Sequence, residues 1–248
     1  MNEKHAVVLR WAELNREELG AVLPEALVIL PIGATEQHGP ALATGTDALL
    51  ASTVAGRGAA LAAERASRPL VLAPAIPVGA SDHHLPFGGT LSLRQETLLA
   101  VLGDLARSVA RSGARRLVLV NGHGGNQGGC QAAAAAAASD YDLAVAYLDY
   151  WQLASDPGGG TIPGHAGEFE TSLVLAVAPE LVGRRTARPQ PPNVPAVPNV
   201  QIHAAATWRA IDGYTDDPAR ADAERGSRWL TQCVEGLAER LVTLAETL

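Results

Sequence analysis

The sequence predicts an α/β fold in which a mostly parallel central sheet is covered by helices on both faces. Short apolar runs alternate with longer stretches of helical spacing, the pattern that builds parallel sheets. Many of the 25 glycines and 16 prolines fall between those runs, where an α/β chain turns. Two clusters of histidine, carboxylate and carboxamide residues directly follow apolar runs, at the strand ends where open α/β proteins bind ligands.

The elements follow in order. Ala26-Leu27-Val28-Ile29-Leu30 opens a buried strand over 26–32. A helix is expected over 46–65, a strand over 70–76, a helix over 94–112 and a strand over 116–121. The next helix covers 126–139. Its unbroken alanines from Ala132 to Ala138 suit a tightly packed helix, because alanine has the highest helix propensity. A strand over 143–149 and a helix over 167–178 come next. The last helix covers 218–247, with Trp229, Leu230, Val234, Leu237, Leu241 and Leu244 at amphipathic spacing. Between them, Pro189, Pro191, Pro192, Pro195 and Pro198 exclude regular helix and interior strand from 186–202. That stretch is a linker, an arm over a neighbouring subunit or a loop walling a site.

The chain of 248 residues is expected to form one domain, 1–248. Its 47% hydrophobic content is ample for a core, and its 4% aromatic content means that alanine, leucine and valine must build it. A net charge of -7 argues against nucleic acid as a partner, which needs clustered lysine and arginine. Cys130 and Cys233 match no metal spacing and read as reduced thiols. No apolar run approaches a membrane span and no signal-peptide pattern opens the chain, so a cytoplasmic protein with no membrane partner is expected.

The first cluster is Glu36-Gln37-His38-Gly39-Pro40, with Asp47 nine residues after His38. In an extended segment Glu36 and His38 point the same way, and Asp47 returns toward them after the turn at Gly45. Mixed oxygen and nitrogen ligands suit zinc, manganese or iron. The second cluster, Asn121-Gly122-His123-Gly124-Gly125-Asn126, follows the run Leu117-Val118-Leu119-Val120. Glu36, His38, Asp47 and His123 could hold one ion, or two if Asp47 bridges. The third cluster, His165-Ala166-Gly167-Glu168-Phe169-Glu170-Thr171-Ser172, opens a helix. His165 and Glu170 are candidates for proton transfer or a further ligand. Glu168 fits a carboxylate placed in the first helical turn by the dipole. His84, in Ser81-Asp82-His83-His84-Leu85-Pro86-Phe87-Gly88-Gly89-Thr90, is a loop or a site residue. Trp151 is an aromatic wall for substrate or a core residue.

Together these motifs resemble the creatininase family of metal-dependent amidohydrolases. The matching residues run from Leu30 to Pro40 with Asp47, then Asn121 to Asn126, then His165-Ala166-Gly167 with Glu170-Thr171-Ser172. The resemblance spans roughly residues 26–180. It implies a three-layer αβα fold, a divalent-metal centre and a homo-oligomer, with a hexamer favoured. It implies Glu36, His38, Asp47 and His123 as ligands, with Asp47 as the bridge, and places His165 and Glu170 at site positions. Two ions per subunit are expected, zinc first, with manganese or iron as alternatives.

Two departures stand out. In creatininase itself a Tyr-Glu pair is expected after the histidine matched by His123, with that glutamate on the second metal. Here Gly124-Gly125 stand there, so the second metal lacks a ligand unless Glu170 supplies it. The family's usual Phe-Pro-Gly-Thr appears as Phe87-Gly88-Gly89-Thr90, a form common in relatives that act on other substrates. Trp151, His84, Gly124 and Gly125 are the expected substrate contacts. The leading expectation is metal-activated water cleaving a non-peptide C–N bond of a small cyclic or linear amide. The alternatives are a formamide deformylase, a peptidase trimming a short modified peptide of the mycofactocin type, and a metal- or anion-binding protein without catalysis.

Overall fold

The computed structural model describes residues 7–156, 162–188, 190, 197, 200 and 202–248. Five parallel strands form one sheet in the order β1-β3-β2-β4-β5. They are β1 (Leu9–Arg10), β2 (Leu27–Ile32), β3 (Leu70–Leu72), β4 (Arg116–Asn121) and β5 (Ala144–Asp149). The helices are α1 (Arg16–Val22), α2 (Thr46–Ala63), α3 (Gln95–Arg111), α4 (Gln127–Tyr141), α5 (Glu168–Val177), α6 (Ala205–Ala210) and α7 (Ala223–Thr247).

The period of two along each strand divides the core into two layers. Leu27, Ile29, Val118 and Val120 face α2, α5 and α7, where they meet Leu50, Val54, Phe169 and Leu237. Val28, Leu30, Leu117 and Leu119 face α3 and α4, where they meet Leu98, Leu102, Cys130 and Ala133. Both faces of β2 and most of β4 are therefore buried, which is why their sequences read as unbroken apolar runs. The result is the three-layer αβα arrangement. Within the alanine run of α4 only Ala133 and Ala137 are buried, one helical turn apart, so the run supplies a narrow packing stripe.

Register sets the site. Ile32 pairs with Asn121, and Asn121 pairs with Asp149, so β2, β4 and β5 end level with one another. The chain then turns off this common C-terminal edge at 33–47 and at 122–126. Gly33 and Gly122 let the first turn of α2 lie directly against it. A Cβ on Gly33 would stand 2.4 Å from Ala48 Cα, and one on Gly122 would stand 2.9 Å from Asp47 O.

Some boundaries differ from the expected ones. The strand expected to reach 76 stops at Leu72, and beyond Pro74 only an isolated bridge joins Ile76 to Ile32. The last helix begins at Ala223 instead of 218. Pro218–Arg220 forms a separate single turn, and the Asp222 side chain caps α7 by accepting from Arg225 N at 2.8 Å. Most of the Pro-rich stretch 186–202 lies outside the described residues. Arg188 is described. Its guanidinium covers the Tyr214 ring at 3.8 Å and donates to Ile211 O at 2.8 Å.

Candidate metal centre

Four segments bring their side chains to the level edge: the loop after β2, the start of α2, the loop after β4 and the start of α5. The His123 loop is held by two carboxamides. Asn121 accepts from His123 N at 3.1 Å and donates to His123 O at 2.8 Å. Asn126 donates to Gly33 O at 3.0 Å and accepts from Ala80 N at 2.9 Å. Asp149 accepts from Asn121 at 2.8 Å and from Gln127 at 2.7 Å, which anchors the carboxamide pair to β5.

Two imidazoles present one nitrogen each toward the carboxylates. His38 Nδ1 donates to Glu36 O at 3.0 Å, leaving Nε2 at 3.0 Å from Asp47 Oδ1 and 3.8 Å from Glu170 Oε2. His123 Nε2 donates to Ala80 O at 3.1 Å, leaving Nδ1 at 3.1 Å from Asp47 Oδ2 and 3.2 Å from Glu36 Oε1. A backbone carbonyl on one ring nitrogen, fixing the tautomer that frees the other, is the usual support of a metal-ligating histidine. Asp47 thus gives one oxygen to each histidine, as a bridging carboxylate does. Glu170 is tied down by Ala166 N, which donates to its Oε2 at 2.6 Å.

The residues fit a divalent cation. Both Glu36 oxygens and Asp47 Oδ2 are buried and have no hydrogen-bond donor. His123 Nδ1 lies 3.2 Å from Glu36 Oε1 and 3.1 Å from Asp47 Oδ2. Buried carboxylate oxygens without partners are costly, and a cation facing them removes that cost. Ligand atoms of His38, Asp47 and Glu170 lie within 4.8 Å of one another, and so do those of Glu36, His83 and His123, and those of Glu36, His38 and His165. The first two triads share no residue, and Asp47 reaches a histidine of each.

The charges are tightly coupled. Burial lowers the His38 imidazole, but the Asp47 carboxylate, with Glu170 and Glu36, outweighs it and lifts the pKa to about 10. Burial raises Asp47, but His38 and His123 overcome it and hold the carboxyl well below the usual range. His123 is raised despite burial, by Glu36 and Asp47. Glu170 is lifted to about 8, chiefly by burial and against the pull of His38. In contrast, burial first and neighbouring imidazoles second keep His165 low and bring His84 down to about 2.

A cavity of about 950 Å³ opens over these residues. Gly124, Gly125, Trp151, His84, His165 and Glu170 all line it. Asp47, His83 and His123 line it too, beside the buried Glu36 and His38. Trp151 has a second role, being buried against the α2 and α7 layer. Glu168 turns away and pairs with Arg220 at 3.2 Å and with Arg225. Sequence reasoning missed Gln37, His83 and Trp208. The Trp208 ring stands 4.6 Å from His84 and 5.0 Å from His83, on the short helix α6 that follows the Pro-rich stretch. A histidine beside the quoted His84 was the one available signal; α6 carries no motif.

Residues 12–241 match the creatininase family, described as creatinine amidohydrolase. The chain belongs to this family. A mycofactocin precursor peptide peptidase of Mycolicibacterium smegmatis is 35% identical over 236 residues, covering 90% of this chain and 87% of its own length. The creatinine amidohydrolase of Pseudomonas putida is 32% identical over 94% of both chains. Among solved structures, a manganese creatininase superposes with a TM-score of 0.80 at 31% identity, over 94% of this chain and 97% of that one. A glutamate-to-glutamine variant of creatininase, of Zn-Zn type, has a TM-score of 0.80 at 32% identity, with the same coverage. Family and relatives alike are hydrolases of amide bonds, and the chain is an enzyme of that class.

The glycine pair sets this chain apart from the creatininase pattern. A Cβ on Gly125 would stand 2.2 Å from Ala80 O and 2.4 Å from His123 Nε2. The glutamate expected there in creatininase has no room on this backbone. Gly125→Ala is accordingly expected to displace His123 and to lower both metal content and stability. Overpacking of this kind costs about 1–3 kcal/mol. Calorimetry with elemental analysis checks this, and wild-type values for both reject it.

Proposed function

We propose that the chain is a metal-dependent hydrolase with two divalent ions, and that it cleaves an amide bond of a short peptide or peptide-like substrate. The observation that carries the metal centre is Asp47, whose two oxygens face two different histidines beside unpartnered Glu36 oxygens. Zinc is the first candidate and manganese the second, in line with the N/O donor set. When bound, such ions polarise an amide carbonyl and lower the pKa of a water toward about 7.

The chain's residues divide the remaining work. Glu36, His38, Asp47, His123 and Glu170 hold the ions, with Glu170 in place of the glutamate that Gly125 excludes. His165 Nδ1 faces Glu36 Oε1 at 3.5 Å, so it borders the centre where a proton leaves the attacking water. It takes that proton and returns it to the departing nitrogen, which leaves as an amine. Gly124 and Gly125 give the substrate backbone a floor without side chains, and Trp151 and Trp208 flank it.

Size separates the substrate classes. A cavity of about 950 Å³ is near the top of the range for small-molecule sites, about 300–1,000 Å³. It is generous for a compact cyclic amide and suits a few residues of peptide. The peptidase relatives support the same choice. Chelator-treated protein restored with zinc or manganese should be tested on short peptides, formamides and lactams. Peptide cleavage that is lost on chelation and regained with metal is the expected result. Cleavage of lactams or formamides alone would move the substrate to small amides. A metal-loaded protein inert toward all three would overturn the hydrolase.

A further inference from the structure

We infer that Gln37 is a positioning residue that holds two histidines, His84 and His165, in the Nε2–H tautomer but in opposite orientations, so that one faces the centre as a donor and the other as an acceptor. The inference rests on the hydrolase reading above and assigns a division of labour within that site.

The orientation of the Gln37 amide is fixed at both ends by backbone groups of known polarity. Gly39 N donates to Gln37 Oε1 at 3.0 Å, so that atom is the oxygen. Gln37 Nε2 donates to Gly213 O at 2.6 Å, so that atom is the nitrogen. The residue cannot drift, because Gln37 N donates to Thr90 Oγ1 at 3.0 Å and a Cβ on Gly213 would stand 2.9 Å from Gln37 Nε2. An amide nitrogen has two protons. One goes to Gly213 O. The other goes to His84 Nδ1 at 2.7 Å, the shorter of its two imidazole contacts.

The tautomers follow from that count. His84 Nδ1 accepts, so its ring proton is on Nε2. That Nε2–H is buried, has no hydrogen-bond partner and lies 3.5 Å from Glu36 Oε1. His165 Nε2, at 3.3 Å from Gln37 Nε2, finds no proton left to accept. It donates instead to the backbone carbonyl Gln37 O at 3.0 Å. The bare nitrogen of His165 is then Nδ1, also 3.5 Å from Glu36 Oε1. The two rings are stacked with centroids 4.3 Å apart and an interplanar angle of 18°. One glutamine therefore turns two adjacent imidazoles to opposite uses.

That pairing is what amide hydrolysis needs. The His84 Nε2–H is a donor for the carbonyl oxygen as negative charge develops on it. The His165 Nδ1 lone pair takes the proton of water as the carbon–oxygen bond forms, and delivers it to nitrogen as the carbon–nitrogen bond breaks. Water and amide go in, carboxylate and amine come out, and no other reactant is required. With either ring in the other tautomer, its role would be lost.

Solid-state nitrogen spectra of zinc-loaded protein, labelled at histidine, test this without substrate. Loss of a signal pair in His84→Gln and in His165→Gln assigns the rings. The expected result is a protonated Nε2 and bare Nδ1 on both. In Gln37→Glu the new carboxylate can only accept, so the His84 proton should move to Nδ1. Turnover should fall by about 10²–10⁴-fold, with zinc content and KM retained, as for a group acting through correct proton placement. In Gln37→Met, which imposes no proton position, His84 should populate both tautomers. A native His84 protonated on Nδ1, a native His165 bare on Nε2 or protonated on both nitrogens, or a His84 spectrum unchanged in Gln37→Glu, would each overturn the inference. The native spectrum stands even if a variant fails to fold. It is also independent of turnover, so an inert enzyme with the expected tautomers would reject the hydrolase and not the role of Gln37.

Discussion

Asp47→Ala is expected to strip the centre of metal and abolish turnover. The Asp47 carboxylate reaches His38 Nε2 at 3.0 Å with one oxygen and His123 Nδ1 at 3.1 Å with the other. In the two-ion arrangement proposed above, removing it would take a ligand from both ions at once. It also removes the negative charge placed between two imidazoles in a buried site. Disturbing a residue that only supports a ligand typically weakens metal affinity about 10–100-fold. Loss of a shared ligand should exceed that for each ion. His38→Ala and His123→Ala make the contrast, because each removes a nitrogen from one ion only. Each should leave a protein with about half the wild-type metal, as two separate sites with one weakened would. Elemental analysis of protein purified without chelator, followed by metal titration, decides it. Full occupancy in Asp47→Ala would reject the bridge, and the assignment of the two triads with it.

The fold was legible where a short segment carries its own signal. The strands expected over 26–32 and 116–121 are β2 and β4 nearly residue for residue, because burial on both faces demands continuous apolar sequence. β1 was not legible: two residues, Leu9–Arg10, are too few to carry a period. α1 carried a readable sign that went unread. Asn15 accepts from Glu18 N at 3.1 Å and Glu18 returns a carboxylate to Asn15 N at 2.9 Å, the capping box of an Asn-x-x-Glu sequence. No helix among the described residues is long and apolar enough to cross a membrane.

The site divides along the same line. Glu36, His38, Asp47 and His123 were legible as ligand types gathered at strand ends. Gln37 was hidden because alternation sends it to the opposite side from Glu36 and His38. Its meaning comes from His84 and Gly213, which are 47 and 176 residues away. Such a role exists only once the chain is folded. Glu170 was ambiguous in sequence, as a helix-start carboxylate or a ligand. What favours the ligand is non-local too: its 3.8 Å approach to His38 and the closed space at Gly125.

Glu170→Gln and His165→Asn should therefore fail in different ways. Glu170 shares a ligand triad with His38 and Asp47, and its carboxyl supplies an anionic replacement for the glutamate that Gly125 cannot carry. A neutral amide in its place is a poorer ligand for a hard or borderline cation. Glu170→Gln should lose the ion beside His38, keep the ion beside His123, and lose turnover as a consequence. Added zinc or manganese should restore part of that turnover. In the proposed arrangement His165 is the proton-transfer group and not a ligand, with its Nε2 donating to Gln37 O at 3.0 Å and its Nδ1 facing the centre from 3.5 Å. His165→Asn should keep both ions and lower kcat by about 10²–10⁴-fold, the usual contribution of a positioned acid–base group. KM should change little, and added metal should restore nothing. Paired metal analysis and steady-state kinetics on the two variants give the answer. Full metal content in Glu170→Gln would return that residue to proton transfer, and near-normal kcat in His165→Asn would remove the histidine from the reaction.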